Sequence, residues 1–371
     1  MKEKKICCVF NIAPHYNEAI YLLMADELNC DFYLGDHVSY NIQLMDYAKL
    51  KNLRKVLENY YIVGNFYWQK GTLNLPFKSY SGYILTGEPF CLSTWYILIL
   101  NRFLNKKSYL WTHGWYGKEQ GLRKVIKKMF FKLADSFLLY GEYAKQLMIN
   151  EGFKEEKLKV VYNSMDLYSQ LKVREKLYSK PIFNEYFKND YPVLLFIGRI
   201  ETRKKVDLLI EVLSKLRFDG LMLNLVLIGK HSEDTNILKL ISEFNLEDVI
   251  WDFGPCYEEE KLGELIYNAD LCVVPGDVGL TAMHSMVYGL PVLTHNNFSN
   301  HGPEFEAIMP GLTGDFFEED SLQSLAIKIK EWVCMEAERR KAIRMYCYEV
   351  IEKKYNPKVQ IEILKRMLEN N

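Results

Sequence analysis

VLLFIGRIETRKKVDLLIEVLSKL, residues 193–216 of a 371-residue chain, reads as strand, loop and helix in immediate succession. Five apolar residues, Val193 to Ile197, end at Gly198. A polar loop follows, and from Lys204 the apolar residues recur at helical spacing. The unit repeats in both directions along the chain. Downstream, the strand candidates are LNLVLIG (223–229), VIWDFG (249–254), LCVVPG (271–276) and PVLTHN (291–296). Upstream they are KICCVF (5–10), CDFYLG (30–35), SGYILTG (81–87), SYLWTHG (108–114), SFLLYG (136–141) and KVVYN (159–163). Apolar strands alternating with amphipathic stretches predict parallel sheets covered by helices on both faces.

Eleven strands fit two sheets of five or six better than one large sheet. The length agrees, at roughly 100–200 residues per domain. The break falls near 165–191, a polar stretch without strand signals. We therefore expect two doubly wound domains, 1–175 and 176–355, and a last amphipathic helix over 356–371. Many strands end in Gly, and open α/β sheets bind ligands beyond their strands' carboxyl ends. The expected site is the cleft between the two domains.

Composition is that of a folded globular protein, 49% hydrophobic and 26% charged. The formal net charge of −1 argues against a polycationic nucleic-acid binder. The balance is uneven: residues 1–190 carry +8, leaving −9 for the remainder. Segment 101–132 alone has nine basic residues and one acid, Glu119. Eight cysteines form neither a C-x-x-C pair nor a zinc-finger pattern, and read as reduced, buried thiols of a cytosolic protein. The apolar run Ile6–Phe10 is too short for a signal-peptide core. FCLSTWYILIL (90–100) falls short of the roughly 20 residues of a membrane span.

Two segments suggest phosphate binding. Gly198-Arg199 leaves a strand end, and Lys204 and Lys205 return at the start of the next helix. Two such cations would hold a diphosphate; a solvated basic loop is the plainer alternative. Eighty residues on, Gly276 is followed by Asp277, Val278, Gly279, Leu280, Thr281 and the helix AMHSMVYG. Backbone amides at such a turn attract anions, although an ordinary βα turn looks the same.

Taken in order, these segments resemble the family-4 retaining glycosyltransferases of the GT-B fold. The matching stretches are 193–216, 223–230, 249–276, 279–296 and 311–321. LADSFLLYGEYAKQLMINEGFKEEKLKVVYNSMD (133–166) and YLWTHGWYG (109–117) resemble the family's first domain. The resemblance implies two Rossmann-like domains facing across a cleft, with the last helix crossing back to the first. It implies Arg199, Lys204 and His113 as catalytic residues. Donor contacts would come from Gly198, Lys205, Pro255, Asp277, Gly279, Leu280, Thr281 and His284. His15 and Asn17, in APHYNEA, are the acceptor-side candidates, with helix capping as the alternative for His15. Neither a metal nor a cofactor beyond the nucleotide-sugar donor is expected.

Two departures stand out. The family's Glu-x7-Glu pair would fall at Gly276 and His284, so both acids are missing. The family's Gly-rich first loop is replaced by Asn11-Ile12-Ala13-Pro14-His15. His284 retains hydrogen-bonding capacity for ribose hydroxyls or is a buried structural residue, and Asp277 could stand in for the first acid. His301, Glu304 and Glu306 lie in a loop at the expected cleft edge.

In GLRKVIKKMFFKLAD (121–135), Leu122, Val125, Ile126, Met129 and Leu133 form one apolar face between cations. The expectation is an apolar face packed on the sheet and a cationic face toward solvent. The cationic face, with Arg102, Lys106 and Lys107, would suit anionic lipid headgroups at the inner membrane face. The expected function is transfer of a sugar from a nucleotide-diphosphate sugar to a glycan or lipid-linked acceptor, in bacterial surface polysaccharide synthesis. A catalytically inactive sugar-nucleotide-binding subunit is the rival. An epimerase lacks cleft acids in the sequence, and a Rossmann dehydrogenase lacks its G-x-G-x-x-G.

Overall fold

The computed structural model describes residues 5–39 and 42–369. The basic head at residues 1–4 lies outside them. Two compact units form, one extending to Asp166 and including the final helix, the other Leu167–Tyr355.

The second unit is built on β9 (Val193–Ile197), β10 (Asn224–Ile228), β11 (Ile250–Asp252), β12 (Leu271–Val273), β13 (Val292–His295) and β14 (Gly314–Phe317). All are parallel, in the order β11-β10-β9-β12-β13-β14. Counted from β9 this is 3-2-1-4-5-6, the Rossmann order. Its central strands are wholly buried, as their unbroken apolar runs require.

The first unit's sheet has eight strands: β1 (Ile6–Phe10), β2 (Cys30–Gly35), β3 (Leu53–Val63), β4 (Phe66–Lys70), β5 (Gly82–Thr86), β6 (Lys107–Thr112), β7 (Ser136–Leu139) and β8 (Leu158–Val160). The order is β4-β3-β2-β1-β5-β6-β7-β8, parallel except for the β3–β4 hairpin. The expected five or six strands therefore become eight here, and fourteen rather than eleven among the described residues. β3, β4 and β14 were missed. β3 is largely exposed, with Leu57 and Asn59 its buried positions, and its one apolar run, residues 60–63, lies mostly in solvent.

Along β1, Ile6, Cys8 and Phe10 enter one core while Cys7 and Val9 enter the other. This is the period-two signature of a sheet covered on both faces. The final helix, Pro357–Glu369, adds Ile361, Leu364 and Met367 to the first core, beside Ile20 and Met24 of helix Glu18–Glu27. Gln360 ties it to the segment after β8, donating to the Tyr162 carbonyl (2.8 Å) and accepting from Ser164.

The polar stretch near 165–191 carries two short helices, Leu167–Arg174 and Ile182–Phe187. All eight thiols are free and six are buried. No described helix is long and apolar enough to cross a membrane.

The basic helix, Gly121–Phe131, departs from expectation. Leu122 (73% exposed), Val125 (52%) and Met129 (58%) face solvent. Phe130 and Phe131 are its fully buried residues. The lysines are neutralised close to the fold: Lys124 and Lys128 pair with Glu151, and Lys127 with Glu119. Glu119 and Glu151 are separated from these lysines in sequence, so heptad spacing alone could not reveal the pairs. The neighbouring helix, Leu92–Phe103, ends beside it, with Arg102 reaching the Lys132 carbonyl (3.4 Å) and Phe103 81% exposed.

Leu364 is fully buried between helices and sheet. Leu364→Ala should cost about 2–5 kcal/mol through lost contacts and the cavity left behind. Urea denaturation followed by far-UV circular dichroism would measure it; an unchanged midpoint would mean that the last helix does not stabilise the first unit.

Candidate functional site

In the second unit, the chain leaves β9 toward β10 and leaves β12 toward β13, on opposite sides of the sheet. The carboxyl ends of β9 and β12 therefore flank the topological switch point, where open α/β sheets bind ligands. Gly198 and Arg199 follow β9; Gly276 to Thr281 follow β12. The two phosphate-binding segments inferred from sequence thus meet at one sheet edge.

Backbone packs directly on backbone here. A Cβ at Gly276 would lie 2.0 Å from the Arg203 carbonyl oxygen and 2.7 Å from the Lys204 Cα. Gly276 N–H donates to the Lys204 carbonyl (3.0 Å). The acid expected at position 276 is sterically excluded. A Cβ at Gly229 would lie 1.8 Å from the Gly198 carbonyl oxygen, so the loops after β9 and β10 are pressed together too.

This packing carries Lys204 into the interior. It is 7% exposed, and its ammonium donates to the Asp277 carbonyl and lies 4.0 Å from the Asp277 carboxylate. Burial pushes its pKa down, and Asp277 partly offsets this. Arg199 is different: its side chain is 58% exposed, and Glu201 lies 3.8 Å from its guanidinium. One buried and one open cation stand at the same strand end. Lys205 adopts a left-handed backbone (φ 53°) and turns away, pairing with Asp320 (2.6 Å) and Glu319 (3.1 Å).

Asp277 accepts from Gly302 N–H (3.1 Å) and faces Arg203 (3.5 Å). Burial opposes its ionisation, but neighbouring His301, then Lys204 and the Gly302 amide, outweigh that and hold its carboxyl well below the usual range. His301 is buried; Val278 N–H donates to its Nδ1 (3.3 Å), and its Nε2 donates to the His295 carbonyl (2.9 Å). His301 thus fastens the 295–302 segment to the turn. Glu304 is also buried, at 5% exposure.

Gly279 has φ 51°, and Lys204 Nζ lies 3.8 Å from where its Cβ would be. The following helix, Thr281–Val287, has only seven residues. Thr281 donates its hydroxyl to the Ile197 carbonyl (2.9 Å) rather than capping that helix, which locks the helix to β9. Leu280 is the helix's N-cap residue, and Pro255 is exposed after β11. His284 lies three residues beyond Thr281, on the same face, and is 14% exposed. Its Nε2 lies 2.9 Å from Glu259 Oε1. Glu259 went unnoticed in the sequence, because 25 residues separate it from His284.

The first unit holds a separate cavity of about 1070 Å³ at the equivalent edge of its own sheet, between the ends of β1, β5 and β6. Aromatic side chains, among them Tyr16, Phe66, Trp111 and Tyr140, form part of its wall, and charged side chains such as Glu119 and Lys127 another part. His113 and Asn17 line it. The His113 ring lies 4.7 Å from that of Tyr140 and is exposed. His15 is exposed, and its Nδ1 lies 3.2 Å from the Gln43 carbonyl, so it caps no helix. Glu88, missed in the sequence reading, enters the cavity directly after β5, bonded to Tyr67 (2.9 Å) and Asn11 (3.4 Å). Burial raises its pKa. Among the described residues, no cluster of three or more His, Cys, Asp or Glu has the arrangement of a metal site.

Comparison with known proteins agrees with this geometry. Residues 179–350 match the family model for group 1 glycosyl transferases. An uncharacterised 41.2 kDa protein of the cps region of Klebsiella pneumoniae is 24% identical over 258 residues, covering 66% of this chain and 68% of its own. The structure of Anabaena HepE in complex with UDP superposes with a TM-score of 0.72 at 13% identity, over 99% of this chain and all of that one. The lipopolysaccharide outer core galactosyltransferase WaaB, in its apo form, gives 0.72 at 15% identity over 99% of this chain. The chain has the GT-B fold, with two Rossmann-like α/β domains.

Gly276→Ala should cost about 1–3 kcal/mol, because backbone must move to admit one methyl. Gly276→Glu, which supplies the family's acid, should fare no better. A thermal melt of each variant checks this; a Gly276→Glu protein as stable as wild type would show that the turn has room for the side chain.

Proposed function

We propose that the protein is a glycosyltransferase that moves a sugar from a nucleotide-diphosphate sugar onto a glycan or lipid-linked acceptor, with retention of configuration. The observation that carries this reading is the pairing of open Arg199 with buried Lys204 at the switch point of the second unit. The match of 179–350 to group 1 glycosyl transferases supports it, as does the UDP held by Anabaena HepE.

The second unit takes the donor and the first takes the acceptor. The bond from the sugar's anomeric carbon to phosphate oxygen breaks. A bond from that carbon to an acceptor oxygen forms on the same face, and the acceptor's proton leaves on the released diphosphate. Arg199 and Lys204 offset the charge that develops on that diphosphate; a lysine in low dielectric acts strongly on it. The amides of the Gly279–Thr281 turn add to this. His113 is the third group we assign to the reaction, through a hydrogen bond to the transferred sugar. The first unit's aromatic wall suits an acceptor saccharide, whose C–H faces stack on aromatic rings.

We assign the protein to the cytoplasmic face of the cell membrane, in surface polysaccharide synthesis. The Klebsiella relative from a cps region and the likeness to WaaB support the pathway. The membrane contact rests on exposed apolar groups rather than on the lysines: Leu122, Val125, Met129 and Phe103, flanked by the basic residues of 101–132. Such a surface enters the lipid headgroup region while the flanking cations meet anionic lipid. The loss of both family acids, at Gly276 and His284, favours one second reading, a subunit that binds the sugar nucleotide without turning it over.

Two experiments test these readings. Against UDP-, GDP-, ADP- and dTDP-sugars, one donor should be turned over, and Arg199→Ala should lower kcat by about 10²–10³ with the fold retained. Donor binding without turnover in the presence of acceptor extracts would favour the inactive subunit. Val125→Glu/Met129→Glu should abolish co-sedimentation with vesicles containing phosphatidylglycerol. Wild-type protein that stays in the supernatant would remove the membrane assignment.

A further inference from the structure

Glu259 opens the helix Glu259–Asn268, and its carboxylate is held by three side chains from two other helices. Its Oε1 accepts from His284 Nε2 (2.9 Å), from the Tyr288 hydroxyl (2.6 Å) and from Gln170 Nε2 (3.1 Å). Burial opposes its ionisation, yet these bonds outweigh burial and hold its carboxyl at about 2. It is therefore a carboxylate throughout the physiological range, and acts only as an acceptor. That also identifies His284 Nε2 as the donor in their hydrogen bond.

All three bonds end on one oxygen. The side chain keeps 33% of its surface, so Oε2 stands open. A carboxylate needed only to clamp three helices would be expected to spread its bonds over both oxygens and to lie fully enclosed. Here one oxygen is anchored and the other is presented.

The position of this oxygen matters. His284 follows Thr281 by three residues on one helix face, an advance of about 4.5 Å at 1.5 Å per residue. Thr281 is locked to the end of β9, beside Gly198 and Lys204. The anchored carboxylate thus lies about one helical turn beyond the paired cations. In a nucleoside diphosphate, the ribose is joined directly to the inner phosphate and offers two adjacent hydroxyls. Acidic side chains recognise that pair in Rossmann-type domains, through charge-assisted hydrogen bonds.

We propose that Glu259 receives the ribose hydroxyls of the donor nucleotide, with His284 and Tyr288 as the residues that position it. The carboxylate missing from the helix after β12 is supplied from the neighbouring helix, through His284. This inference rests on the donor-binding reading of the second unit.

The test compares ribo and dideoxyribo ligands by isothermal titration calorimetry. UDP, GDP and ADP are each titrated against the full chain, and the one that binds is compared with its 2′,3′-dideoxy form. Wild type should prefer the ribonucleotide by tenfold or more. Glu259→Gln should reduce this preference at least fivefold, and His284→Ala should reduce it less. Affinity for inorganic pyrophosphate, which has no ribose, should be unchanged in both variants. An unaltered preference in folded Glu259→Gln overturns the proposal and leaves Glu259 as a clamp. Should that variant not fold, Glu259→Asp keeps the charge and withdraws the oxygen; retained preference there overturns it equally. Wild type that binds UDP, GDP or ADP without preferring ribose sinks this inference alone. Wild type that binds dTDP alone, which lacks the 2′-hydroxyl, sinks this inference and leaves the donor reading; wild type that binds none of the three and no dTDP sinks both.

Discussion

Backbone pressed against backbone at the carboxyl end of β9 is the constraint from which the second unit's chemistry follows. Gly276 permits the loop 203–204 to lie directly on the turn after β12. That contact drives the Lys204 side chain inward, under the same turn, to the Asp277 carbonyl. A lysine so enclosed has few rotamers left and little water around it. Its charge is costly to bury, and the fold offsets that cost with Asp277, itself held by the Gly302 amide. The cation is ready before any ligand arrives, which is the condition under which electrostatic stabilisation is most effective.

The same constraint explains one departure from the family pattern. An acid at position 276 would need a Cβ where the Arg203 carbonyl lies. The substitution there is coupled to the path of the loop, so it is not a simple loss. At position 284 the departure has another character. His284 has room and polarity, and it reaches a carboxylate that arrives from another helix. On the proposed role of Glu259, the carboxylate reaches the site from a different helix than the family pattern places it on.

What could be read from the sequence divides along physical lines. All eleven predicted strands are present, most of them apolar runs buried on both faces, the condition under which composition alone reports burial; the edge strands β8 and β11 are only partly covered. β3 and β4 are hard to see because Asn59 and Gln69 take one of the two buried positions in each, bonded to each other and to the Phe10 and Asn11 carbonyls. A polar residue that is satisfied inside looks from sequence like one that is exposed. The basic helix failed for the converse reason. Its apolar stripe follows helical spacing, yet Phe130 and Phe131 make the fully buried contacts, and Leu122, Val125 and Met129 of the stripe face outward. Periodicity identifies an amphipathic helix; it does not say which face the fold covers. Arg199, Lys204 and Gly279 were legible because local order in the chain fixes their place at a strand end. Glu88 and Glu259 were not, since each acquires its role from partners remote in sequence.

Both units present the same topological edge but furnish it differently. At β9 and β12 the edge is narrow and built from close backbone contacts and fixed charge, suited to a diphosphate whose shape does not vary. At β1, β5 and β6 it opens into a large cavity lined in part by aromatic rings and carrying two carboxyls, Glu119, paired with Lys127, and Glu88, whose ionisation burial disfavours. On the proposed assignment of the donor to the second unit and of a saccharide acceptor to the first, directed polar groups such as Glu88, Asn11 and Asn17 choose among acceptor orientations on the aromatic rings. The edge proposed for the donor tolerates the fewer substitutions, because a Cβ at Gly276 or Gly229 meets backbone, whereas the first unit's cavity is lined by side chains that vary without moving the chain.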